Sequence, residues 1–92
     1  MRVAVNHLTF AEPIPEALIA SAQDAARAVE EAGGECRLVQ VDETHAFLLL
    51  GFPDAETEEL IKNEIGGPWM REHVVPLLAS PPERTSGDVV AG

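Results

Sequence analysis

Valine alternates with other residues through Val3-Ala4-Val5, and Met1 to Phe10 reads as a β-strand leaving into the stiff loop Ala11-Glu12-Pro13-Ile14-Pro15. From Glu16 to Ala32 the period changes. Leu18, Ala22, Ala25, Val29 and Ala32 are spaced 4, 3, 4 and 3, which is one stripe of a helix, with Gln23, Asp24, Arg27, Glu30 and Glu31 on the other side. Pro15 suits its first turn, where a missing N–H loses no bond, and Gly33-Gly34 supplies a C-terminal stop. The stripe is rich in alanine, so this helix lies close to whatever it packs on. Glu35 to Val41 and His45 to Phe52 then read as strands, and the short polar link Asp42-Glu43-Thr44 makes them an antiparallel hairpin.

Pro53-Asp54 ends the hairpin. Asp54 is placed to cap a second helix, with Glu56, Glu58 and Glu59 favourably set in its first turns and Leu60, Ile61 and Ile65 turned inward. Gly66-Gly67 is expected to stop that helix, Pro68 to open another short one as far as Val75, and Pro76 to kink or end it. Ser80-Pro81-Pro82-Glu83 reads as loop and Gly87 to Ala91 as a candidate last strand. The order strand, helix, strand, strand, helix, strand is the α+β, ferredoxin-like split βαβ plan: a four-stranded antiparallel sheet with both helices on one face.

Both faces of that sheet are apolar. Phe47 and Leu49 point one way while Ala46, Leu48, Leu50 and Phe52 point the other, and Val3 and Val5 oppose Ala4 and Leu8. Two helices cover only one face. The other needs a second sheet, and a second copy of the chain is the simplest source, so a homodimer or higher even oligomer is expected.

Composition narrows the function. Ninety-two residues make a single domain, residues 1–92, and a chain of this size buries only about 60–65% of its unfolded surface. Apolar residues make up 46% of the chain, too many for disorder. Six Lys and Arg against sixteen Asp and Glu leave a net charge of −10, which repels phosphate backbones and excludes nucleic acid as a partner class. The single cysteine, Cys36, forms no intrachain disulfide, the N-terminal apolar run is too short for a signal peptide, and Ala46 to Phe52 is too short to span a membrane. A soluble cytoplasmic protein is expected, with neither membrane nor nucleic acid as partner.

Candidate chemistry concentrates between Gly66 and Leu78, which holds the only tryptophan and one of three histidines. Trp69 and His73 are i and i+4, hence on one helix face: an indole wall beside an imidazole acid or base, or a packing anchor beside a rim residue. Asn6 and His7 sit mid-strand on opposite faces, so one points at the helices and the other at the partner sheet. A polar group in such a strand has a partner or a ligand, since burying it unpaired costs ~1–3 kcal/mol. Arg71 is suited to a substrate carboxylate or enolate, or to a pair with Glu64 or Glu72. His45 opens a strand and is expected to be exposed. His7, His45 and His73 lack metal-ligand spacing, Cys36 has no histidine or second cysteine beside it, and no glycine-rich phosphate loop occurs.

In element order the whole chain resembles the dimeric α+β barrel proteins. Val5-Asn6-His7-Leu8-Thr9 in the first strand and His73 near the end of the second helical region resemble the antibiotic-biosynthesis-monooxygenase family and its haem-degrading relatives. Gly67-Pro68-Trp69-Met70 and Val75-Pro76-Leu77-Leu78, followed by Pro81, are similar to the muconolactone isomerase branch. The resemblance implies a cavity between helices and sheet for a flat, largely apolar aromatic or polyketide-like molecule. It implies chemistry that needs no metal or flavin; Asn6 and His73 are then expected as catalytic residues, and the residue reading adds Trp69, Arg71 and His7 as substrate contacts. No cofactor is then expected. Haem is the alternative, since haem-degrading members use a strand asparagine, a helix tryptophan and a histidine ligand to iron. Asn6 and His73 match two of these, while Trp69, four residues before His73, departs from the expected helical position. Two rivals stand beside this: an isomerase or lyase, and a non-catalytic assembly module whose Pro68-Trp69-Met70 segment plugs a partner surface.

Overall fold

The computed structural model describes residues 1–92. Strand β1 (Arg2–Thr9) is followed by helix α1 (Glu16–Glu31), the hairpin β2 (Glu35–Gln40) and β3 (His45–Phe52), helix α2 (Ala55–Ile61) with its extension, and β4 (Glu83–Asp88). The strands form one antiparallel sheet in the order β2-β3-β1-β4, with both helical segments packed on one face. This is the ferredoxin-like α+β plan expected from the element order. No helix is long and apolar enough to cross a membrane.

The core lies between sheet and helices. Ala4 and Leu8 of β1 and Ala46, Leu48, Leu50 and Phe52 of β3 meet Leu18, Ala22 and Val29 of α1 and Ile61 and Val74 of the second helical segment, all buried. The small residues on α1 let its backbone approach. Gly33, at φ +97°, turns the chain out of α1 through a conformation that favours glycine. Gly34 is needed for a different reason: a β-carbon there would sit 2.6 Å from Ile61 Cδ1 and 3.0 Å from Gly51 O, where helix and hairpin cross. The far face of the sheet carries Val3, Val5, Phe47 and Leu49, half-buried, with Val39 and His7 exposed. No helix covers it.

The second helical segment departs from expectation. Asp54 caps it as the sequence suggests, its Oδ1 accepting the Thr57 N–H at 2.7 Å, a bond that holds the carboxyl below the usual carboxylate range. Gly66-Gly67 does not stop it. The chain stays helical over residues 55–77, passing through a π-turn (Lys62–Gly66), a short α-turn (Gly67–Trp69), a second π-turn (Met70–Val74) and a 3₁₀ turn (Val75–Leu77). Each π-turn lies just upstream of a proline, Pro68 or Pro76. Proline in a regular helix collides with the carbonyl four residues back; widening the turn relieves that collision, and Gly67 N–H bonds instead to Lys62 O. The inward stripe is narrower than expected: Ile61 is fully buried and Ile65 half-buried, but Leu60, expected inside, already lies toward solvent in the regular turn before the π-turn and is 50% exposed.

The last strand is also displaced. It begins at Glu83, inside the expected loop, and ends at Asp88, before most of the expected strand. None of its residues is buried. Its hold comes from the ladder with β1 and from Glu58 of α2, whose carboxylate stands between Arg2 of β1 (3.4 Å) and Arg84 of β4 (3.5 Å).

Candidate functional site

Between the sheet, α1 and the second helical segment lies an inner cavity of about 210 Å³. Leu48, Leu50 and Phe52 form its floor, and Ile65, Trp69 and Met70 its helical wall. Its walls are apolar except for Asn6, Lys62 and Arg84. Asn6 is there because β1 alternates. It shares the helix-facing side with Ala4 and Leu8 and is only 6% exposed. None of the chain's side-chain hydrogen bonds involves Asn6. No fully buried side-chain polar atom is left unpaired either, so the Asn6 amide meets the cavity space itself.

Trp69 stands between this cavity and an open groove on the outer side of the helices. Its Nε1–H donates to Ser21 Oγ of α1 at 2.5 Å, which fixes the ring orientation across the helix pair. Pro68, Trp69 and Met70 are all half-buried within the protein, which does not suit a segment plugging a partner surface. Trp69 and His73 do share a helix face, as their spacing predicts, but that face borders the outer groove with Ser21, Asp24 and Glu64. His73 is exposed and does not line the cavity that holds Asn6.

His7 points the opposite way from Asn6, onto the open sheet face, where its ring meets Phe47 edge-on with centroids 4.7 Å apart. Arg71 is exposed and folds back toward Gly67; it pairs with neither Glu64 nor Glu72. His45 is exposed and bonded to Asp42 at 2.9 Å. The structure thus brings together Asn6 and Trp69, and leaves His73, Arg71 and His7 on three other surfaces. Arg84 is the lining residue that sequence reasoning missed. Its signal was register: once β4 is placed against β1, Arg84 falls opposite Asn6.

Cys36 lines the inner cavity and also a wider hollow of about 360 Å³ at the outer edge of β2. Burial pushes its thiol up, reinforced by Glu30. The outer hollow holds none of the candidate site residues, so the inner cavity is the better site although it is smaller. No group of three His, Cys, Asp or Glu side chains is placed to hold a metal ion.

No protein-family model matches the sequence, and no curated protein matches it significantly. Solved structures do. A Nitrosomonas europaea protein provisionally described as an antibiotic biosynthesis monooxygenase superposes with a TM-score of 0.84 at 15% identity, covering 99% of this chain and all of that one. Rv0793 from Mycobacterium tuberculosis gives 0.74 at 18% identity, covering 100% of this chain and 98% of that one. An arginine-to-serine variant of MhuD, with two manganese protoporphyrin IX molecules bound per active site, gives 0.71 at 18%, covering 100% and 97%. At these identities the likeness is one of fold: the chain shares the α+β fold of these structures along its whole length.

Proposed function

We propose that this chain is a small-molecule enzyme or binder of the monooxygenase-like type, working as a homodimer and taking a flat aromatic or polyketide-like compound into the inner cavity. The observation that carries the reading is the Asn6 amide, buried in an apolar cavity with no protein partner beside the indole of Trp69. Such an amide retains the hydrogen-bonding capacity that orients a ligand oxygen, while the Trp69 ring and Phe52 offer apolar surface. The open sheet face, with Val3, Val5, Phe47 and Leu49, supports pairing with a second copy.

Haem does not fit this cavity. No histidine lines it, His73 faces the outer groove, and Cys36 is held as a neutral thiol by burial. No histidine of this chain would be placed in the cavity to hold the iron of a haem. The proposed chemistry is therefore that of the chain and its bound substrate: Asn6 orients, Trp69 stacks, and the apolar walls exclude water.

Thermal denaturation with a panel of polycyclic aromatic ketones, quinones and small lactones, paired with an oxygen electrode, tests this. A ligand at a hundred times its dissociation constant stabilises the fold by about 2.7 kcal/mol. That corresponds to a rise in melting temperature on the order of 10 °C or more. Oxygen uptake with the stabilising compound identifies an oxygenase, and turnover without uptake identifies an isomerase or lyase. A panel that leaves the melting temperature unmoved removes the cavity as a ligand site.

A further inference from the structure

The polar lining of the inner cavity gathers at the junction of β1, β4 and the first π-turn, and its charge has one sign. Lys62, the only lysine, and Arg84 are two of the six cationic residues, and no carboxylate lines the cavity although sixteen occur in the chain. Asn6 and Arg84 are register partners on neighbouring antiparallel strands. Partners of this kind project to the same face with β-carbons about 5 Å apart, close enough to address a single oxygen group.

Like the Asn6 amide, the Arg84 guanidinium donates no hydrogen bond within the chain. Its charged neighbour is Glu58, with Nη2 at 3.5 Å from Oε2. A charge-assisted hydrogen bond is shorter, about 2.7–2.9 Å. Glu58 is also shared with Arg2, 3.4 Å from its other oxygen. Arg84 therefore has a loose counterion and unused donors beside an apolar cavity. A neutral ligand would leave those donors unmatched; an ionised oxygen would match the fork.

We propose that this end of the cavity is an anion pole: the ligand carries one ionised oxygen group, a carboxylate or the enolate or phenolate of a conjugated ring, bound by Arg84 and Asn6. Exposed Lys62 adds attraction at the rim, and Glu58 is the resident counterion that the ligand displaces. The inference rests on the inner cavity being the ligand site, and it narrows the proposed substrate to flat acids and enolates.

The test is calorimetric titration at about pH 7 with naphthoate and its neutral isostere naphthamide. Wild-type protein is expected to prefer naphthoate by about tenfold or more, the scale of one hydrogen bond to a charged group. Arg84→Gln erases that preference while naphthamide affinity stays within about threefold, and Glu58→Gln tightens naphthoate severalfold by removing the competing carboxylate. Circular dichroism melts establish that both variants fold. Equal affinity for the two compounds in wild type, or an Arg84→Gln variant that weakens both alike, overturns the anion pole and leaves the cavity reading standing. Binding of neither compound overturns both.

Discussion

Gly66 and Gly67 are adjacent, share the same helical segment and line the same cavity, yet alanine should act on them in opposite directions. A β-carbon at Gly66 meets Ile61 O at 3.5 Å, an ordinary contact. Gly66→Ala should therefore show only the gain in helix propensity, about 0.5–1 kcal/mol. At Gly67 the π-turn draws Lys62 O beneath the residue, because Gly67 N–H bonds to it, and a β-carbon would overlap that oxygen. Relief requires opening the turn, losing a bond of about 0.5–1.5 kcal/mol net, or accepting packing strain of about 1–3 kcal/mol. After the propensity gain, Gly67→Ala should be destabilised by up to about 2.5 kcal/mol, and since both variants share that gain they should lie about 1–3 kcal/mol apart. For a chain of this size that separates their melting temperatures by on the order of 5–20 °C. Urea titration followed by circular dichroism gives the same difference as a change in midpoint at constant slope. Equal stability of the two variants would refute the π-turn and require an ordinary α-helical path there, which would also rotate Trp69 and Met70 away from their places in the cavity wall.

Other outcomes follow from the same geometry. Asp54 and Asp42 have folded-state pKa values below their unfolded ones, Asp54 through the Thr57 N–H and Asp42 through the Thr44 N–H, then His45. Their stabilisation is complete above the unfolded carboxylate range, about pH 4, and is lost as pH falls through the folded values. Urea midpoints should decline on that acid side, and less steeply in Asp54→Asn. Leu49→Glu places a charge in the middle of the open sheet face, so light scattering should show dimer for the wild type and monomer for the variant; a wild type that is already monomeric refutes the pairing. Cys36, buried and with its thiol pushed up, should react slowly with a disulfide reagent in the native state and rapidly in urea. A cavity ligand should slow the native reaction further, and an unchanged rate with saturating ligand would place that ligand elsewhere.

Much of the fold was legible because burial imposes a period. α1 shows its alanine stripe, and β1 and β3 alternate toward a covered face, which also placed Asn6 and His7 on opposite sides. Where burial or local chemistry gives no such cue, reading failed. Residues 83–88 are polar and exposed throughout, so no alternation marks a strand; the ladder with β1 makes it one. With that strand went Arg84. Gly66-Gly67 is locally a stop signal, but the core contacts of Ile61 and Val74 on either side carry the helix through it as π-turns. The candidate site was half legible for the same reason. Trp69 and His73 were correctly placed on one face, while which side of the segment that face borders depends on packing that spacing alone does not specify.

The strand order has a kinetic consequence. β1 emerges first during synthesis, yet Val5 pairs with Leu49 on one side and Thr85 on the other. The β2–β3 hairpin closes over a short link and can form early. β1 must wait for it, and β4 can dock only once Glu83–Asp88 has been made. The apolar first strand is thus an unpaired template for much of translation, exposed to strand pairing with neighbouring nascent chains until its own partners arrive.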